Sequence, residues 1–367
     1  MNFTRMLVFL LAVFSFASPA AAQQNAGAAD EPLRKVIIDQ DARGPATTDE
    51  QAILALVQSP QTQVLGITVV TGDEWRDEEV AHTLRMLEII GRADIPVVPG
   101  TVFPLNNTPQ FITAWEKLYG KVVYQGAWNW PGRNGKIHGP YEIPPLIEGE
   151  PHTKALNEDA AHFLVRMVHM YPNQVTVVAA GPLTDLALAI ALDPKFASLA
   201  KELVVMGGSI NPQSDDPEFR MNPRREFNFW MDPEGSHAVL KADWAKITDT
   251  PVDISIKTRL TKDMIAKIAK SDSPVARYIA KYADSEYMWD ELAVISWLDP
   301  TVIKRTEQLY LDVSTDAGAS YGDTLVWAPG NEPEMMAARR PVTVNVNLDT
   351  AKFYAEFISL MSRAVKK

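Results

Sequence analysis

The chain alternates between two periodicities, and that alternation limits what it can fold into. Short β-branched and aliphatic runs recur at Lys35-Val36-Ile37-Ile38, Val64–Val70, Ile95–Val98, Val175–Val178, Leu203–Met206 and Val342–Asn347. Between them lie longer stretches with apolar residues three and four apart: Asp49–Gln58, Glu78–Gly91, Asp159–Met170, Leu183–Leu192, Pro233–Leu240, Lys262–Lys270 and Thr350–Ala364. A strand that returns to its sheet through a helix returns parallel. The pattern therefore predicts an α/β fold, a mostly parallel open sheet flanked by helices and Rossmann-like in architecture, as a single domain over residues 34–367.

The segment 101–152 breaks the rhythm. It is rich in Pro, Gly, Trp and Tyr and shows no clear period. An irregular stretch that long inside a compact domain is usually functional, so it reads as an insertion over a site. Its aromatics, Trp115, Tyr119, Tyr124, Trp128, Trp130 and Tyr141, would either roof a flat ligand or pack the insertion onto the body. At the other extreme, residues 1–22 read as an export signal. Arg5 precedes the apolar run Met6–Ala17, and Ala20-Ala21-Ala22 fits a cleavage site. That run is too short to span a bilayer. Residues 23–33 read as a flexible lead-in. The expectation is an exported protein, periplasmic or secreted, with no stable membrane insertion.

Two compositional facts narrow the chemistry. There is no cysteine, which excludes disulfides, thiolate metal sites and a cysteine nucleophile. The formal charge of −11 speaks against a nucleic-acid partner, whose binders carry a basic face.

Asp39-Gln40-Asp41 follows the first strand directly, and Asp49-Glu50 opens the next helix. In a parallel sheet, ligands bind beyond the carboxyl ends of the strands, so Asp39, Asp41 and Asp49 are placed to converge. Crowded carboxylates stay ionised cheaply only around a cation. With no His or Cys beside them, the donor set points to Ca2+ or Mg2+, and a loop-built cage suits Ca2+ better. The plainer alternative is that these residues serve turns and helix caps. Further polar groups stand at Thr71-Gly72-Asp73, at Ala179–Asp185, at Arg225–Pro233 and at Tyr287–Val294.

These segments together resemble the inosine–uridine-preferring nucleoside hydrolases. The resemblance runs from about Arg34 to the C-terminus. It is carried by Lys35–Asp41 with its D-x-D, by Ser59-Pro60 and Val64–Thr68, and by Gly91–Val97. Gly181-Pro182-Leu183-Thr184, Met206-Gly207-Gly208 and Glu226-Phe227-Asn228 with Asp232-Pro233 extend it. The resemblance implies a nucleoside hydrolase-like fold and a Ca2+-dependent N-ribosyl hydrolase that releases free base and ribose. It implies Asp41, Asp49, Asp290 and the carbonyl of Ala180 as metal ligands, with Asp41 also the catalytic base toward water. Asp39, Thr48, Asp73, Met206, Asn222, Glu226, Asn228 and Trp289 would contact or support the substrate. It also implies a homo-oligomer, dimer or tetramer.

The chain departs from the family pattern in three places. The turn Ala42–Thr47 is longer than usual, and Thr48 stands where an Asp is common. Asp73 stands where Asn is common, either restoring that carboxylate or serving as a solvated loop acid. Trp289 stands where many members have the histidine that protonates the leaving base. An indole cannot be an acid, so it either stacks on a base or is a core aromatic. His138 is the candidate leaving-group acid among the six histidines. These departures leave two other readings open: a Ca2+-dependent riboside-binding protein with little hydrolysis, and a hydrolase for an aglycone that needs no acid.

Overall fold

The computed structural model describes residues 32–133, 135–336 and 339–365. The expected export signal and residues 23–31 of the lead-in lie outside the described residues.

The described residues from 33 to 365 build one unit around a nine-stranded sheet. Its strands are β1 (Arg34–Gln40), β2 (Thr62–Val69), β3 (Val97–Pro99), β4 (Val175–Ala179), β5 (Glu202–Met206), β6 (Ile247–Thr250), β7 (Ile303–Val313), β8 (Thr324–Trp327) and β9 (Val342–Leu348). Their order is β3-β2-β1-β4-β5-β6-β9-β7-β8. Pairing is parallel from β3 through β9, and antiparallel where β7 joins β9 and β8.

Both faces of the parallel part are covered, which is why its strands read as continuous apolar runs. Side chains alternate between the two layers. Val36, Ile38, Val178 and Val204 enter one core with helices Thr48–Gln58, Arg76–Ile90, Trp289–Leu298 and Thr350–Ser362. Ile37, Val177, Leu203 and Val205 enter the other with helices Ala160–Met170, Thr184–Leu192 and Pro233–Lys241. Each fully buried aliphatic contributes about 1.5–3 kcal/mol.

Sequence reading and structure part in definable places. β6 has the sequence Ile-Thr-Asp-Thr, polar at three of four positions, and shows no apolar run. The helix Trp289–Leu298 is buried at every position but Trp289, so it lacks the one-sided period of a surface helix. The antiparallel pair β7–β8 carries charge along its outer half and was not expected. The insertion holds the amphipathic helix Pro109–Tyr119, capped by the Thr108 side chain.

The order β2-β1-β4 marks the point where the chain leaves β1 in one direction and later returns to its other side. Ligands of open α/β sheets lie in the crevice at such a switch. Asp41 follows β1 and Ala180 follows β4, so the topology sets them side by side.

Candidate active site

A cavity of about 330 Å³ opens at this switch point. Asp41, Thr48, Asp49, Ala180 and Asp290 line one end, Met206, Glu226 and Asn228 line a side, and Tyr124, Trp130, Phe227, Tyr287 and Trp289 give an aromatic wall. A second cleft, of about 360 Å³, lies at the opposite, amino-terminal edge of the sheet around Arg34, Glu202 and Trp297. Within it Lys246 pairs with Glu202 at 3.1 Å and the Trp297 indole donates to Glu202 at 2.8 Å.

The acidic end is assembled from three elements. Asp41 opens the loop out of β1, Asp49 sits in the first turn of Thr48–Gln58, and Asp290 in the first turn of Trp289–Leu298. All three are at most 3% exposed. Gln40 links the last two, its Nε2 donating to Asp290 Oδ2 at 2.8 Å and Asp49 Oδ1 at 3.3 Å. Thr47 Oγ1 donates to Asp49 Oδ2 at 2.7 Å. Asp41 Oδ2 accepts the Asp73 N–H at 3.1 Å. The backbone around Asp41 is tight. A Cβ on Gly72 would come within 2.1 Å of Asp41 Oδ2, and one on Gly181 within 2.7 Å of Asp41 N. Glycine at both positions is what lets two loops close on this carboxylate.

Burial pushes the Asp41 carboxyl well above its ordinary range, and the charges of Asp73, Asp49, Glu79 and Asp290 add to the shift. Burial, and then Asp49, do the same to Asp290. Asp49 is pushed up to about 7 by burial and by Asp73. Desolvated carboxylates packed this closely would be neutralised by a cation held among them. The donors are all oxygen and come from loops and helix starts, so they fit a Ca2+-type ion. Arg43 also lines the cavity and is engaged by two of its other acids. It pairs with Asp73 at 3.3 Å and with Glu286 at 3.2 Å.

Glu226 caps the short helix Phe227–Met231. Its carboxylate accepts N–H bonds from Asn228 (2.8 Å), Phe229 (3.0 Å) and Gly208 (2.8 Å). Burial outweighs these bonds and pushes it up to about 7. A carboxylate has about four acceptor positions, so one remains for a ligand hydroxyl. Asn228 Nδ2 donates to the Met206 carbonyl at 3.1 Å, fastening that wall to the end of β5.

Thr48 lines the cavity, but its hydroxyl donates to Glu291 and accepts the Asp290 N–H at 3.3 Å. Asp73 lines it too, tied by Arg43 and by the Tyr124 hydroxyl at 2.7 Å. Trp289 is half-buried. It lines the cavity while its ring lies 4.6 Å from Tyr287 and 5.8 Å from Phe219.

Three expected contacts are corrected. Asp39 does not line the cavity. Strand alternation sends it to the face opposite Gln40, where Thr68 donates to it and Asp185 shares its surroundings. Asn222 is turned away, its Nδ2 donating to Asp323 at 3.3 Å beside a separate small hollow. His138 is held outside by Glu78 at 2.7 Å, while its carbonyl accepts the Trp75 indole N–H at 2.9 Å. The described residues lining the cavity include no histidine.

The insertion divides its aromatics. Tyr124 and Trp130 line the cavity. Trp115 is buried with Tyr321 and Trp230, and Trp128 meets Trp230 edge-on. Tyr119 lies against Trp115, and Tyr141 is exposed against Phe103. The insertion is stitched to the loop after β2, since Ala127 N–H donates to the Gly72 carbonyl at 2.9 Å and a Cβ on Gly126 would come within 2.2 Å of that oxygen.

Sequence reasoning missed Gln40, Arg43, Glu218 and Glu286. Gln40 and Arg43 flank Asp41 and carried a positional signal. Glu218 lies in the short helix Pro217–Met221, inside a stretch that reads from sequence as a polar loop, and burial beside Glu226 and Asp216 pushes it up to about 8.

Residues 36–355 match the family model "Inosine-uridine preferring nucleoside hydrolase". The chain is 32% identical over 254 residues to "Probable uridine nucleosidase 2" of Arabidopsis thaliana, covering 69% of this chain and 70% of that protein. It is 28% identical over 251 residues to "Pyrimidine-specific ribonucleoside hydrolase RihA" of Photobacterium profundum, covering 68% and 71%. Among solved structures, the purine-preferring ribonucleoside hydrolase from Gardnerella vaginalis superimposes with a TM-score of 0.72 at 21% identity, covering 90% of this chain and 98% of that one. At that identity the likeness speaks for the fold.

Proposed function

The chain belongs to the inosine–uridine preferring nucleoside hydrolases, a metal-dependent family that cleaves N-glycosidic bonds, and from that premise we propose that it is an exported, Ca2+-dependent hydrolase of a nucleoside or related N-riboside. The observation that carries the reading is the convergence of Asp41, Asp49 and Asp290 at one end of a cavity whose other wall is aromatic. Export rests on the character of residues 1–22.

Asp41, Asp49 and Asp290 would hold the ion with the Ala180 carbonyl. When bound, it would polarise the attacking water and orient the sugar diol. Asp41 removes the proton from that water. Glu226 and Asn228 hold ribose hydroxyls, and Met206 packs against the sugar. Cleavage develops positive charge on the ribose, as in other glycoside hydrolysis, and the surrounding carboxylates stabilise it. With no histidine on the cavity wall, the leaving base is held by stacking on Trp289 and Tyr287.

The test is base release from a panel of purine, pyrimidine and nicotinamide ribosides, followed by chromatography with and without a chelator. Release that stops in chelator and returns with Ca2+ is expected. Tight binding of intact riboside with no turnover would instead mean a binding protein. Cell fractionation tests export, with the expected product lacking residues 1–22.

A further inference from the structure

The start of helix Arg76–Ile90 carries a second set of ionisable side chains, outside the cavity. Glu78 and His82 lie one turn apart on one helix face, and Glu74, four residues before Glu78, lies just ahead of the helix. Glu74 Oε2 lies 3.7 Å and Glu78 Oε1 4.0 Å from His82 Nε2. The three residues are buried, and their ligand atoms fall within 4.8 Å of one another. Separations of 3.7 and 4.0 Å are too long for N–H···O hydrogen bonds. They exceed by a few tenths of an ångström the roughly 3.3–3.6 Å between ligand atoms on one tetrahedral zinc-sized ion with bonds of about 2.0–2.2 Å, a gap that small side-chain rotations close.

A second observation points to the centre of this group. Glu74 is 4% exposed, yet its Oε2 accepts no hydrogen bond. That orphaned oxygen is the atom facing His82. The outward atoms of the other two are already held. His82 Nδ1 pairs with the buried Glu148, and Glu78 Oε2 pairs with His138 Nε2 at 2.7 Å. A carboxylate on Nδ1 fixes the tautomer that leaves the Nε2 lone pair facing inward, the arrangement usual behind metal-bound histidines.

We propose that Glu74, Glu78 and His82 form a second, structural cation site of zinc type, with Glu148 and His138 orienting the ligands. One imidazole with two carboxylates suits Zn2+ or a similar first-row ion, whereas the all-oxygen cavity suits Ca2+. The site would brace the turn that separates Asp41 from Asp49, because a Cβ on Gly44 would come within 2.5 Å of the His82 ring. The competing occupant is a proton, making His82 an imidazolium among carboxylates.

The experiment is zinc stoichiometry by atomic emission after equilibration at micromolar zinc, on wild type, Glu78→Gln, His82→Gln and, as a control at the other site, Asp290→Asn. About one zinc per chain is expected in wild type and Asp290→Asn, with at least tenfold weaker binding in the other two. Wild type that takes up no zinc, or full stoichiometry in His82→Gln, overturns the site. If the His82 and Glu78 variants do not fold, imidazole 15N spectra of wild type decide. A His82 Nε2 that shifts on zinc addition supports the site, and one that keeps a proton in zinc overturns it. Retention of zinc is independent of whether the cavity hydrolyses ribosides.

Discussion

Two knots of buried carboxylates stand within one loop of each other, and they are built differently. Asp41, Asp49 and Asp290 meet at the end of an open cavity with only oxygen donors and no cation of their own. Glu74, Glu78 and Glu148 enclose a histidine and are themselves buried. Both arise from the same loop, since Asp73 donates its N–H to Asp41 while the neighbouring Glu74 faces His82. Charge kept beside open space is available to a substrate and an exchangeable ion. Charge enclosed with its counter-group serves the fold.

The comparison fails first if chemistry does not separate the knots. Asp41→Asn should lower turnover by about 10²–10⁴-fold while riboside still binds in Ca2+. Base release measured at saturating substrate checks it, and unchanged turnover would remove Asp41 as the base.

Stability should divide the knots in the opposite sense. His82→Gln leaves the buried Glu148 and Glu74 without their counter-group, at a cost of about 3–5 kcal/mol. Asp290→Asn, in chelator, removes one of three like charges and should cost less than about 1 kcal/mol or stabilise. Urea unfolding of both variants reads the difference, and equal losses would dissolve the distinction.

A third carboxylate sharpens the point, because it belongs to neither knot. Asp249 on β6 is buried, both its oxygens lack hydrogen-bond partners, and burial with the charges of Glu226 and Asp253 raises it well above its ordinary range. An acid raised on folding costs stability above its unfolded value of about 3.9. Below that pH both states hold the proton and the cost vanishes. Asp249→Asn should therefore gain about 1–3 kcal/mol at neutral pH and nothing near pH 3, as read by thermal unfolding across pH.

The smallest effect concerns the aromatic wall. Trp289→Ala should raise KM about 2–10-fold, the worth of one stacking contact of about 0.5–1.5 kcal/mol. His138→Ala should leave the pH profile of turnover in place, since that ring lies outside the cavity.

The parallel half of the sheet was legible because strands buried on both faces must be continuous apolar runs, as at Val36-Ile37-Ile38. The antiparallel half was not, because β7 mixes charge with apolar residues and β6 is mostly polar. Within the cavity, Asp41, Asp49 and Asp290 were readable from motif and position. Asp39 misled because D-x-D looks like a pair, whereas its hydrogen bonds go to Thr68 on the far side of Gln40. Arg43 sits in a loop and Glu218 in a five-residue helix too short to show a period, where only three-dimensional closure reveals a neighbour. The insertion hid a helix because its Pro and Gly content masked the periodic stretch Pro109–Tyr119.

The seam between Gly126 and Gly72, with Tyr124 clasping Asp73, has a bearing on traffic. Ceiling and floor are sewn to the same few residues, so neither can swing aside alone. Asp216 and Glu218 border the cavity on the same side as Tyr124, so that stitched rim is also an acidic one.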